Sequence, residues 1–158
     1  MQKIVEFFTY ISRISLVVLV VLVVYDALMR YLFSEGSTAL QELEWHLFDV
    51  VILLSIAYTF NRASHVRVDI FYEHFGEKTK NRINIFGIVF FIVPFSLMIV
   101  YLGYDFVFMS YMQHEASSDP GGLCCRWIVK SLVVVSFVLL VIEAVVELIQ
   151  RVFGGEQC

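Results

Sequence analysis

A stripe of polar side chains lies near the start of the second long apolar segment of the chain. Glu42, Trp45, His46 and Asp49 are spaced i, i+3, i+4 and i+7, which places them on one face of a helix. Because Asp49 falls within the apolar segment, its carboxylate needs a protein or water environment rather than lipid. We therefore predict that Glu42, Trp45 and Asp49 contact a partner protein, with ion handling as the alternative.

Further ionisable residues occur within the other apolar segments. Asp26 and Arg30 are spaced i, i+4 and can pair on one helix face, or contact a neighbouring helix. We add Arg30 to the predicted partner interface. Glu147 and Arg151 have the same spacing and can also pair. No basic residue lies three or four positions from Glu143, which makes it a candidate proton site.

The cysteines do not have the spacing of a metal or redox centre. Cys124 and Cys125 are adjacent and Cys158 ends the chain, so no CxxC pair exists. A bond between neighbouring cysteines strains the peptide that joins them, so we expect small apolar space-fillers. A four-helix thiol oxidase would need two reactive cysteine pairs, and the chain offers one. We predict no catalytic residue, no metal site and no cofactor in this chain.

Two other membrane functions depend on ionisable residues in the middle of a span. A b-type cytochrome or redox-complex anchor needs paired histidines there, but His46 and His114 are near one membrane surface and His65 and His74 near the other. A small self-contained proton-coupled exporter would need a carboxylate deep in its first helix, whereas Asp26 lies near the helix end. Both functions remain alternatives to a non-catalytic subunit.

The lengths of the apolar segments predict the helices that position these residues. Of the 158 residues, 59% are hydrophobic and 16% charged, against about 25% charged in soluble domains. About 20 residues of helix cross the hydrocarbon core. The net charge of −4, without a long basic run, argues against nucleic-acid binding. We predict an all-α integral membrane protein forming a single domain (1–158), with Pro94 kinking the third of four spans: 12–33, 38–60, 81–112 and 127–153.

Basic residues predict the orientation of the four spans. If the N-terminus is cytoplasmic, eight Lys and Arg residues flank the inner ends and three flank the outer ends. Such a bias satisfies the positive-inside rule and places both termini in the cytoplasm. The inner loop then contains His65, Arg67 and Asp69, which alternate with apolar residues. We predict that this short segment lies along the membrane interface and anchors the inner end of the protein.

Several sequence motifs occur together and in order along the chain. They are DALMRY (26–31), ELEWHLFD (42–49), AYTF (57–60), HVRVDIFY (65–72) and EASSDPGGLCCRW (115–127). Together they resemble the small permease (DctQ-type) family of tripartite ATP-independent periplasmic (TRAP) transporters. Two of them, ELEWHLFD and the 115–127 motif, resemble the mannitol or chloroaromatic branch. The resemblance extends over essentially the whole chain.

This resemblance implies a division of labour between three proteins. A large permease subunit (M-type) holds the substrate and sodium sites, and a periplasmic binding protein (P-type) delivers the solute, often a carboxylate. The small subunit is a non-catalytic scaffold beside the large one. The resemblance therefore implies a multi-pass protein of the bacterial inner membrane that supports ion-coupled uptake.

Overall fold

The described part of the chain consists of helices and the loops between them, without a β-strand. The structure is a computed structural model, which describes residues 2–62 and 76–153. Five α-helices occur there: α1 (Gln2–Phe33), α2 (Thr38–Arg62), α3 (Glu77–Gly87), α4 (Val93–Met112) and α5 (Trp127–Phe153). A π-helical turn, Ile88–Ile92, joins α3 to α4. The predicted interfacial residues His65, Arg67 and Asp69 lie outside the described residues.

Four helical segments are long and apolar enough to cross a membrane. They are Glu6–Phe33, Thr38–Phe60, Thr79–Met112 and Trp127–Val152. The predicted all-α fold with four spans is therefore confirmed. The helices begin or end where apolar length predicts at Phe33, Thr38, Met112, Trp127 and Phe153. The first helix differs, because it begins at Gln2 and so extends well before the predicted span.

The third span changes its hydrogen-bond register just before Pro94. Proline has no N–H, so the Phe90 carbonyl, four residues earlier, loses its α-helical donor. The Val93 N–H donates to the Ile88 carbonyl, five residues earlier, as in a π-helix. A π-helical turn, Ile88–Ile92, therefore lies directly before Pro94, where the sequence predicted a kink.

The spans form an open row. The helix α1 packs on α2, α2 packs on α5, and α5 packs on α4, whereas α1 and α4 share no extensive contact within the described residues. Small side chains allow these contacts: Ser12 Oγ donates to the Val51 carbonyl at 2.9 Å, and Ser136 and Ala144 of α5 are fully buried. A row of this kind leaves two broad apolar faces uncovered.

One end of the row contains the two interhelical loops that the structure describes. The residues between α1 and α2 (34–37) and between α4 and α5 (113–126) lie at the same end, because spans that follow one another along the chain alternate in direction, so that α2 and α5 both begin at this end. We call this the loop end. At the opposite end Arg151 Nη2 donates to Glu147 Oε1 at 2.6 Å, which confirms the predicted pair. The Asn81 side chain of α3 contacts Arg151 at 3.4 Å.

Candidate functional site

Three of the four predicted interface residues line one groove at the loop end. Glu42, Trp45 and Asp49, on α2, lie opposite residues of the loop and α5 across a cavity of about 260 Å³. His46, on the same stripe of α2, also lines the cavity. The opposite wall consists of Arg126, Val129 and Lys130, at or near the start of α5. The predicted stripe therefore faces a groove with both acidic and basic walls. Arg30 does not line this groove.

Glu42 forms the closed side of the groove. Its carboxylate accepts hydrogen bonds from Ser117 Oγ, from the Leu123 N–H at 2.6 Å and from Arg126 Nη2 at 3.2 Å. Only 8% of the residue is exposed. An ionised carboxylate is stabilised by several charged or backbone donors of this kind. Glu42 therefore holds the 113–126 loop against α2 and faces into this chain.

The close approach of the loop to Glu42 requires glycine at position 122. A Cβ atom added there would overlap the Ser117 side chain and lie 2.9 Å from Glu42 Oε2. The loop also closes on itself, since the Ser117 N–H donates to the Leu123 carbonyl at 3.0 Å and the Arg126 N–H to the Glu115 carbonyl at 3.2 Å. The loop is thus a compact lid over the start of α5.

A second ion pair fixes the far side of the loop. Lys130 Nζ donates to Glu115 Oε2 and lies 4.0 Å from the centroid of the Phe106 ring. The hydrogen bond from Lys130 is the main reason that the pKa of Glu115 lies below its ordinary value. Phe106 belongs to α4, so this pair connects the loop, α5 and α4. Both cations of the groove therefore have an anion within this chain.

Trp45 and Asp49 form the open side of the groove. Trp45 is 69% exposed and packs edge-on against Phe48, with ring centroids 6.4 Å apart. Asp49 is half-buried, and no hydrogen bond or ion pair joins it to the described residues. A carboxylate inside a membrane-spanning segment needs such a partner, because lipid offers none. The open side is therefore polar surface at membrane depth.

Arg30 belongs to a separate cluster between α1 and α2. It forms the predicted ion pair with Asp26, whose side chain is 5% exposed while that of Arg30 is 49% exposed. Glu44, which the polar stripe did not include, lies within electrostatic range of both. One oxygen each of Asp26 and Glu44 is buried without a hydrogen-bond partner in the described protein. Arg30, which reaches the surface, thus pairs with Asp26 and attracts Glu44 at longer range.

The sequence stripe predicted the α2 wall of the groove and missed the opposite wall. Arg126 and Lys130 are spaced i, i+4 at the start of the fourth span, and this spacing could have identified them as one helical face. Glu44 was missed because it lies off the stripe. The expectation that Cys124 and Cys125 fill apolar space is wrong, because both are exposed in the loop.

Sequence comparison identifies the family of this bundle. The sequence profile described as "Tripartite ATP-independent periplasmic transporters, DctQ component" matches residues 19–154. The match includes the second half of the first span, the three other spans and both walls of the groove. The chain belongs to the DctQ family. No protein of curated function matches it significantly.

Membership of the DctQ family determines the general role of the protein. It is a small membrane subunit of a TRAP transporter and a non-catalytic component, which the predicted absence of enzymatic activity anticipated. DctQ subunits work with a DctM large permease and a DctP binding protein. Together with the four spans, this makes the chain a multi-pass protein of the inner membrane. Family membership favours transport over the cytochrome-anchor and exporter alternatives.

Proposed function

We propose that this DctQ subunit is a scaffold that binds the large permease through the open side of its groove. The observation that carries the proposal is Asp49, a carboxylate at membrane depth to which the described residues of this chain supply no hydrogen bond. A polar group of this kind is costly in lipid and favourable against a donor on another helix. Arg30 would supply a second contact, because its side chain is half-exposed while that of its ion-pair partner Asp26 is buried.

The remaining groups of the site fit complementary roles. Trp45 is large, rigid and exposed beside Asp49, which is typical of the aromatic residues that dominate binding energy at interfaces. Glu42 would act indirectly, since its hydrogen bonds hold the loop that forms the opposite wall. The open row of spans supplies broad apolar faces on which a larger membrane protein can pack.

The finer features of the transport system follow from the resemblance and extend the proposal. We propose that the complex takes up an organic solute, typically a carboxylate, that sodium coupling resides in the large permease, and that the chain belongs to the mannitol or chloroaromatic branch. Both termini would be cytoplasmic, since most basic residues flank that side. His65, Arg67 and Asp69 would anchor the inner end at the headgroups.

Co-purification of the two subunits tests the scaffold proposal. The large subunit is tagged, and recovery of the small subunit is measured for Asp49→Leu and Arg30→Leu. Asp105→Leu is the matched control, because Asp105 is also a carboxylate within a span, and a more exposed one than Asp49, but lies on α4, away from the groove. We expect several-fold lower recovery and solute uptake for the first two variants and normal values for the control.

Thermal unfolding of each isolated variant separates binding from folding. Asp49→Leu should unfold at the wild-type temperature, because no contact within the described chain is lost. Undiminished recovery and uptake with Asp49→Leu and Arg30→Leu would refute the proposed interface. Equal losses with Asp105→Leu would show that the large subunit does not bind specifically at the groove.

A further inference from the structure

Two adjacent thiols lie exposed in the loop that Glu42 holds. Cys124 and Cys125 are both exposed, and Cys125 Sγ donates a hydrogen bond to Cys124 Sγ at 3.4 Å. Side chains of successive residues in an extended segment point to opposite sides. The backbone at Cys125 instead has φ +65°, in the left-handed region, and the two sulfur atoms lie together. The loop therefore presents a dithiol rather than two separate cysteines.

Contacts on both sides hold this unusual backbone. The residue before the pair, Leu123, donates its N–H to Glu42 at 2.6 Å, and the residue after it, Arg126, donates its N–H to the Glu115 carbonyl at 3.2 Å. The Cys125 carbonyl accepts from the Ile128 N–H at 3.1 Å, at the first turn of α5. A left-handed conformation is unfavourable for a residue with a side chain and persists only where surrounding contacts impose it.

We propose that Cys124 and Cys125 form a redox modification site, which closes to a disulfide by exchange with a disulfide-containing oxidant. Cys124 Sγ attacks one sulfur of the oxidant, so that a mixed disulfide forms and one thiol leaves. Cys125 Sγ then attacks Cys124 Sγ and displaces the second thiol. The chain loses two protons and two electrons, and the oxidant is reduced to two thiols.

The geometry indicates which of the two sulfurs reacts first and that the disulfide is easily reversed. Cys125 is the hydrogen-bond donor, and this contact is the main reason that its pKa is raised, so it keeps its proton until the second step. Successive Cα atoms are about 3.8 Å apart, closer than the roughly 4.4 Å minimum usual across a disulfide. The closed form is therefore strained and easily reduced. Such a bond suits a reversible modification better than a permanent cross-link.

Intact mass measurement on the full chain tests this site. Cys158→Ser removes the third cysteine, and the purified protein is reduced, treated with oxidised glutathione, quenched with acid and alkylated with a maleimide. We expect a product that has lost two hydrogens, carries no maleimide or glutathione, and returns to a doubly alkylated form after dithiothreitol. Further substitution of Cys124→Ser or Cys125→Ser should stop the reaction at a glutathione adduct.

A comparison of the folded and unfolded protein tests whether the fold promotes disulfide closure or whether adjacency in the sequence is sufficient. Closure of the mixed disulfide should be about tenfold faster in the folded protein than in the same protein unfolded in urea, because the fold holds the sulfurs together. Stable glutathione adducts on the folded chain, disulfide-linked dimers, or equal closure rates in the folded and unfolded states would each overturn the proposal.

Discussion

Glu42 stabilises the loop end because three donors from distant parts of the chain converge on one carboxylate. Ser117, Leu123 and Arg126 lie between 75 and 84 residues further along the chain. Such bonds close a long segment onto α2, so they offset the entropy lost when the loop becomes ordered. The groove exists only while this loop is closed. Residues that allow the closure are therefore as important as those that line the groove.

Gly122 allows the loop to close, so its replacement tests the clamp on Glu42. In Gly122→Ala the new methyl group would overlap Ser117 and crowd Glu42 Oε2. We expect a destabilisation of about 1–3 kcal/mol, as for other overpacked sites, measured by unfolding in detergent. Gly36→Ala, in the other connection of the loop end, is the matched control, because no atom lies within 4 Å of its Cβ. Equal stability of the two variants would contradict the close approach.

The pair formed by Glu115 and Lys130 makes stability depend on pH. The pKa of Glu115 is lowered from 4.5 in the folded protein, so folding favours its ionised form. Its contribution is present above pH 4.5 and is lost as the pH falls through the lowered pKa. We expect Glu115→Gln to unfold at a lower temperature than the wild type at pH 7, with the difference shrinking below pH 4.5. A difference that stays constant with pH would exclude this pair as the cause.

The side chains of the site show how far local sequence could predict it. Helical spacing correctly placed Glu42, Trp45 and Asp49 on one face, because that face follows from α2 alone. Spacing could not show that Glu42 turns toward the loop, since its donors are distant in sequence. Helical spacing also could not show that Arg30 lies away from the groove. These positions depend on how neighbouring helices pack.

At the scale of elements, close approach of α4 and α5 depends on Gly103. A Cβ atom there would lie 3.0 Å from Val134 Cγ2, whereas the Cβ of an alanine at position 87 would have no atom within 4 Å. Alanine should add about 1 kcal/mol of helix stability at either position, so Gly87→Ala is a matched control. We expect Gly87→Ala to raise the unfolding temperature and Gly103→Ala to leave it unchanged or lower it. An equal increase would show that the helices are not tightly packed here.

Element boundaries were predicted better than element register. Apolar length predicted most ends of the spans but not the start of the first helix, because the bilayer imposes a thickness only on the part of a helix that crosses it. Pro94 correctly marked the irregularity in the third span. The π-turn itself depends on how the freed Phe90 carbonyl and its neighbours rearrange, so it was not predictable from one proline.

At the scale of the whole molecule, the order of the helices was not predictable from the sequence. Lipid and protein interior are both apolar, so an apolar face does not reveal which neighbour covers it. Val17 and Val21 of α1 remain more than 60% exposed, while α1 packs extensively only on α2 in the described structure. Small buried residues such as Ser12 and Ser136 mark the packed faces, and their meaning became clear only from the contacts.

The orientation of the whole molecule is testable with its own cysteines. If both termini are cytoplasmic, as the distribution of basic residues predicts, the 113–126 loop faces the periplasm and Cys158 faces the cytoplasm. Spheroplasts are treated with a reductant, which opens any bond between Cys124 and Cys125, and then with a membrane-impermeant maleimide. We expect Cys158→Ser to be labelled in intact spheroplasts. The double variant Cys124→Ser, Cys125→Ser should be labelled only after lysis, and the reverse pattern would place both termini in the periplasm.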